Sequence, residues 1–189
     1  MNIAVVAYPT MDDADSQWIS AFRNKHDPQS VRIGVHFTLV FPVEGSPSEL
    51  ASEIAAVARS FAPIAFAIRR TEIVFDVFGN RNLVFLVPDE GAREITTLHD
   101  RLYAGVLRPH LRAEIPFVPH LTVGAAVEHS AAQRAAAELE FGSRVIRGRI
   151  EQVVLVNVGL PIVQSVATYA LGDVAGPATD TASTGHTPA

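Results

Sequence analysis

Short apolar runs alternate along the chain with stretches in which apolar residues recur every three or four positions. "NIAVVAY" (2–8) is β-branched and apolar and predicts a buried strand. "TMDD", beginning at Thr10, has an acidic residue three places on and predicts a helix start, with Met11, Trp18 and Phe22 on one face. "VHFTLVF" (35–41) reads as a strand ending at Pro42. "SPSE" (46–49) is a capping box with proline at the first helical position, and Leu50, Ile54, Val57 and Phe61 follow at helical spacing. "IAFAIRR" and "EIVFDVF" predict two more strands with a turn near Arg70–Thr71, which makes Arg69 and Arg70 solvated turn residues.

After the turn "GNR" (79–81) the order restarts. "NLVFLVP" (82–88) is a strand, and Asp89 caps a helix to about Leu107, with Ile95, Leu98, Leu102 and Val106 inward and Pro109 beyond its end. "FVPHLTVGAAV" (117–127) is a strand, "SAAQ" (130–133) opens an alanine-rich helix, and "GRIEQVVLVNV" and "SVATYAL" close the set as strands. The segment 172–189 is small, polar and unpatterned, and a disordered tail is expected there.

The two halves match in register. An offset of 84 carries His36 onto His120, Thr38 onto Thr122, Val43 onto Val127, Glu44 onto Glu128, Ser46 onto Ser130 and Glu49 onto Gln133. One offset that aligns a strand motif and the following cap points to a duplicated unit. Two copies of one unit pack around a pseudo-two-fold axis, with equivalent residues facing each other across it.

On a strand, His36 and Thr38 point to one face, as do His120 and Thr122, while Phe37, Leu39, Leu121 and Val123 point to the other and anchor a core. Where both strands lie near the axis, two imidazoles and two hydroxyls converge on one cleft. One imidazole can accept a proton and the other donate one, and the hydroxyls can bond non-bridging oxygens of a group held between them. A phosphodiester fits this set, because attack at phosphorus and departure of an oxygen need a base and an acid in line. The charged imidazole also offsets developing negative charge. The arrangement requires no metal and no cofactor.

A lone histidine in an apolar strand is most often a satisfied core residue. With 7 histidines and 11 threonines in 189 residues, random placement gives about 0.4 His-x-Thr pairs, and the chain has two, both in register with the repeat. Thr38 and Thr122 have an ordinary reading as strand residues. His26, His99, His110 and His129 have no partner at motif spacing and are expected on the surface; His186 lies in the tail. Tyr8, Phe41, Phe75 and Phe78 are candidates to stack a base, though core or rim packing is the expected role of each.

Composition narrows the field. The chain has no cysteine, which excludes disulfides, thiolate zinc sites and cysteine nucleophiles. Its net charge of −5 argues against a broad footprint on long nucleic acid but leaves room for one phosphate in a local pocket. The apolar run at the amino terminus is too short for a signal peptide or a spanning helix, so a cytoplasmic protein without a membrane partner is expected.

With its two motifs, "HFTLVFP" and "PHLTV", each flanked by apolar residues and followed by a strand pair, the chain resembles the 2H phosphoesterase superfamily, in particular its 2′-5′ RNA ligase-like (LigT-like) proteins. The resemblance covers roughly residues 1–171. It implies a two-lobed, pseudo-symmetric α+β fold built from a duplicated β-α-β-α-β-β unit, with antiparallel sheets flanking a central cleft and lobes drawn from about 1–78 and 82–171. It implies a monomeric, metal-independent phosphoesterase that opens a cyclic phosphodiester, the 2′,3′-cyclic phosphate of a nucleotide or RNA end, with 2′-5′ RNA ligase activity in the reverse sense in some members. Carried over by position, His36 is the proton donor, His120 the acceptor, and Thr38 and Thr122 bind phosphate. One position departs from the pattern. RNA-acting members often carry H-x-T-x-x-R at the second motif, whereas here the last position is Ala125; Arg81, between the halves, is a candidate replacement. Two alternatives stay open: a metal-dependent hydrolase in which the histidines and a carboxylate such as Glu114 are ligands, though H-x-T lacks the usual ligand spacing, and a non-catalytic binder of a phosphorylated nucleotide.

Overall fold

The computed structural model describes residues 1–139 and 141–172, and the expected tail lies outside the described residues. The strands are β1 (Asn2–Ala7), β2 (Thr10–Met11), β3 (Phe37–Glu44), β4 (Ile64–Asp76), β5 (Arg81–Glu90), β6 (Leu121–Ala126), β7 (Ile146–Ile150), β8 (Gln152–Asn157) and β9 (Gln164–Ala170). The helices are α1 (Asp13–His26), α2 (Pro47–Arg59), α3 (Ala92–Leu102) and α4 (His129–Glu138). The strands form a single sheet in the order β2-β7-β4-β5-β6-β3-β1-β8-β9, every pairing antiparallel.

This order carries the duplication. Exchanging β1 with β5, β3 with β6 and β4 with β8 turns the central run β4-β5-β6-β3-β1-β8 into its own reverse. The centre of the exchange lies between β6 and β3, which meet at the one registered pair Phe37–Leu121. These two residues are themselves equivalent under the offset of 84.

The halves of the sheet do not follow the halves of the sequence, contrary to the expected lobes 1–78 and 82–171. β4, from the first repeat, pairs with β5 and β7, while β8, from the second, pairs with β1. The helices cross in the same way: α1 packs on β6 and α3 on β3. Each repeat thus completes the other's half, because its last strand finds a free edge on the far side of the axis.

β1 is buried on both faces, which explains its unbroken apolar run. Ile3, Val5 and Ala7 join the core under the helices, with Ile19, Phe37, Leu39, Ile54 and Leu98. Ala4 and Val6 pack on the opposite face with Val154 and Val156. The helices cover one face of the sheet, and the other is left to form a cleft.

Where β3 and β6 part beyond Phe37–Leu121, α3 takes up the free backbone of β3. His99 Nδ1 donates to the Leu39 carbonyl at 2.8 Å, and the Phe41 amide donates to the Tyr103 hydroxyl at 3.0 Å. His99 is only 3% exposed, with its ring stacked on Phe117 at 3.7 Å. It was expected on the surface; its helical spacing with Tyr103 instead serves β3, and burial lowers its pKa.

Other local expectations also shift. Thr10 and Met11 form a short strand, and α1 starts later because the Asp12 carboxylate accepts the Asp15 amide at 2.8 Å. β3 runs through Pro42, which is exposed, to Glu44. β4 is one continuous strand, so there is no turn at Arg70; a register shift between Ala67 and Arg70 puts Arg69 and Arg70 both on the exposed side, and Arg69 pairs with Asp89 and Glu90. Neither Ser46 nor Ser130 caps with its side chain, and Glu128 is the residue before α4. α3 is preceded by Gly91 rather than capped by Asp89. Gly91 has φ +79, and a Cβ there would overlap the Ala65 carbonyl oxygen. α3 ends at Leu102, leaving Val106 54% exposed.

Candidate active site

His36 and His120 are the residues immediately before β3 and β6. His36 and Thr38 flank Phe37 on one strand, and His120 and Thr122 flank Leu121 on the other, on either side of the pair at which the two strands meet. Phe37 and Leu121 are buried on the core side, at 1% and 0% exposure, so the four polar residues share the opposite face. Directly opposed Cβ atoms in an antiparallel pair lie about 5 Å apart and diagonal ones about 7 Å, within reach of one small anion.

Both rings are held in the same way. His36 Nδ1 donates to the Gly34 carbonyl at 2.8 Å, and His120 Nδ1 donates to the Val118 carbonyl at 2.6 Å. A backbone carbonyl two residues back therefore fixes the tautomer, leaving Nε2 as the nitrogen that takes or gives a proton. His120 lies flat on Phe85, with ring centroids 3.6 Å apart and planes at 16°. His36 meets the edge of Tyr8 at 6.2 Å. Each ring is half-buried.

Burial pulls the His120 pKa down from 6.5 to about 4, against the opposing pull of the Val118 carbonyl and helped by the nearby His36. Burial also lowers that of His36. The Gly34 carbonyl opposes it, and the Arg23 guanidinium and Asp27 carboxylate act on the ring with opposite signs. Burial thus favours the neutral form of both imidazoles.

A cavity of about 420 Å³ opens on this face of the sheet. His36, Thr38 and Thr122 line it, together with Ala4 and Val6 of β1, Arg81 and Leu83 of β5, and Ala125. His120 stands on Phe85 outside that wall. A second cavity, of about 370 Å³, lies beside α1 and α4; it shares Asp27 and Ala125 with the first and holds no residue of either motif.

Three cavity residues that sequence reasoning passed over build the wall beside His36. Arg23 and Asp27, each 3% exposed, form an ion pair through Nη2 at 2.6 Å and Nε at 2.9 Å. Arg23 also donates to the Ile33 carbonyl at 3.1 Å, and Asp27 accepts the Gln29 amide at 2.9 Å, so the pair clamps the 3₁₀ turn Pro28–Val31 and the lead-in to His36. Arg32 donates to the carbonyls of Pro161 at 2.9 Å and Leu160 at 3.0 Å, tying the loop after β8 to the same wall. The spacing of Arg23 and Asp27, four apart at the end of α1, was the available signal.

The other candidates divide. Phe41 lines the cavity, and the Arg112 guanidinium lies between it and Phe78, at 5.4 and 5.2 Å from the ring centres. Phe75 and Phe78 are exposed at the β4–β5 hairpin, and Tyr8 is partly buried. Glu114 sits in an exposed turn, and among the described residues no group of three or more His, Asp or Glu side chains is placed to hold a metal ion. His26 is partly buried, with Nε2 3.0 Å from Glu138, while His110 and His129 are exposed.

Residues 11–159 match the family model described as the 2'-5' RNA ligase superfamily. The chain belongs to the 2′-5′ RNA ligase superfamily. Among curated relatives in sequence, a Bacillus licheniformis protein named "Putative phosphoesterase" is 29% identical over 126 residues, which is 65% of this chain and 70% of that one. The superfamily fold is evident at longer range. The crystal structure of TT0787 of Thermus thermophilus superposes with a TM-score of 0.59 at 17% identity, over 92% of this chain and 100% of the other. That of E. coli LigT complexed with 3′-AMP superposes with a TM-score of 0.53 at 16% identity, over 91% and 98%. The expected LigT-like α+β fold is therefore the one observed. Among the described residues, no helix is long and apolar enough to cross a membrane.

Proposed function

We propose that this superfamily member opens a cyclic phosphodiester, the 2′,3′-cyclic phosphate of a nucleotide or RNA end, by acid–base catalysis between His120 and His36, without a metal ion. The observation that supports the reading is the Phe37–Leu121 pair, whose flanking residues are the two equivalent histidines and two equivalent threonines, with His36, Thr38 and Thr122 lining a cavity.

The phosphate lies between Thr38 and Thr122, whose hydroxyls donate to its non-bridging oxygens. His120, with a pKa of about 4, is neutral and suited to be the base. Its Nε2 takes a proton from water as the water oxygen bonds to phosphorus. The bond from phosphorus to the 3′ oxygen breaks, and that oxygen receives the proton of His36 Nε2, leaving a 2′-phosphate. His36 acquires its proton when the anion binds, since a negative charge beside a depressed imidazole raises its pKa. The proton then returns from His120 to His36 through solvent. With a 5′-hydroxyl in place of water, the same exchange forms a 2′-5′ bond.

Incubation with 2′,3′-cyclic AMP in excess chelator tests this: 2′-AMP accumulates in the parent. Unchanged substrate, or activity lost on adding chelator, overturns the reading. One feature favours a second reading, in which the cavity holds a phosphorylated nucleotide without turnover: burial lowers the pKa of both imidazoles and so disfavours a charged proton donor. Binding of 2′-AMP by a protein that hydrolyses none of the cyclic nucleotide would select it.

A further inference from the structure

We propose that Arg81 is the phosphate-gripping cation of this site. This rests on the functional reading above. Three arginines line the cavity. Arg23 is committed to Asp27 and Ile33, and Arg32 to backbone carbonyls and Gln29. Arg81 is different: among the described residues its side chain makes no hydrogen bond, and its Nε is buried without one. Its nearest charge is the Asp76 carboxylate, 3.6 Å from Nε across the β4–β5 hairpin.

The hairpin positions this side chain. Arg81 and Asp76 are registered partners, and Asp76 also accepts the Phe78 amide at 3.1 Å, which closes the turn that Asn80 completes at φ +46. With one carboxylate edge turned to the loop and the other to Nε, Asp76 directs the guanidinium without filling its fork. The two terminal nitrogens keep donors for an oxygen pair, which a planar guanidinium engages better than an ammonium. Leu83, next on the same face of β5, is registered with Ala125, which offers no polar group, so the charge at this end of the cavity comes from β5.

The test uses 2′-AMP binding by calorimetry and 2′,3′-cyclic AMP kinetics on the parent, Arg81→Ala, Arg81→Gln, Arg81→Lys and the double variant Arg81→Ala, Ala125→Arg. Losing a charged hydrogen-bond donor weakens a contact by roughly 10- to 100-fold. A loss of that size in Kd and in kcat/KM is expected for Ala and Gln, with a smaller loss for Lys and partial recovery when Ala125→Arg returns a cation from β6. Recovery separates charge from structure, because a merely structural defect at position 81 is not repaired from position 125. Arg81→Gln keeps length and polarity should Arg81→Ala fail to fold. Variants that bind and turn over like the parent overturn the proposal, as does a parent that binds no 2′-AMP. Binding without turnover in the parent ends the hydrolytic reading, and the affinities then decide the arginine's part by the same two outcomes.

Discussion

Acidification puts a proton on His120 that the folded chain resists. Burial of the ring, stacked on Phe85, and the nearby His36 bring its pKa from 6.5 to about 4, against the opposing pull of the Val118 carbonyl that holds Nδ1. The unfolded chain binds the proton near pH 6.5, the folded one only near pH 4, so the unfolded state holds more protons in between. Stability tied to this ring is present above pH 6.5 and is lost as the pH falls toward 4. Each tenfold difference in proton affinity is worth about 1.4 kcal/mol, so the loss between pH 7 and pH 4 comes to about 3 kcal/mol. His36 and His99, also lowered by burial, push in the same direction. A comparison that isolates His120 is therefore needed. Urea unfolding of the parent and of His120→Gln at pH 7, 6, 5 and 4 supplies it. The variant starts from its own baseline, having lost the stacked ring, but its decline toward pH 4 is shallower than the parent's by about 3 kcal/mol. Parallel curves would refute the reasoning and mean that the ring is solvated in the folded state.

The same depressed values set the pH profile of catalysis. Under the proposed mechanism the free enzyme needs one imidazole charged and one neutral, so kcat/KM is expected to peak above about pH 4 and on the acid side of pH 6.5, and a maximum near pH 8 contradicts the assignment. Asp27→Asn leaves the buried Arg23 without its counter-charge and costs about 3–5 kcal/mol in denaturant unfolding; a loss under about 1 kcal/mol would mean the pair is hydrated. Gly91→Ala forces a side chain into a left-handed position against the Ala65 carbonyl and costs about 2 kcal/mol by the same measurement, and no loss would show that the turn relaxes freely.

The two motifs left a clearer mark in the sequence than the strand order did, for reasons visible in particular residues. His36 and His120 stand out because each precedes a strand with strict alternation, and the offset of 84 also joins Phe37 to Leu121, the pair at which the two strands meet. The crossing of β4 and β8 into opposite halves of the sheet leaves no local trace, since pairing between strands distant in sequence depends on which edge is free after folding. Arg69 and Arg70 read as a turn because two adjacent charges break alternation; a register shift inside one strand breaks it equally well. The side-chain patterns at Thr10 and Asp89 suggest caps, but backbone conformation decides, and a later aspartate, Asp12, and a left-handed glycine, Gly91, start the two helices. His99 looked unremarkable for want of a motif partner, yet it bonds a strand carbonyl where the sheet divides. Arg23 and Asp27 carry a recognisable helical spacing, but nothing local indicates that their pair is buried beside the cavity that His36 lines.

The central claim is that the imidazoles from opposite halves work on one phosphate as a unit. It is tested most directly by kcat for 2′,3′-cyclic AMP hydrolysis in the parent, His36→Ala, His120→Ala and the double variant, all in chelator. General acid–base contributions of roughly 10²- to 10⁴-fold are expected to be lost in each single variant, with the double variant no worse than the more damaged single by more than about tenfold. Losses that multiply in the double variant, or a single variant as active as the parent, would contradict a shared site.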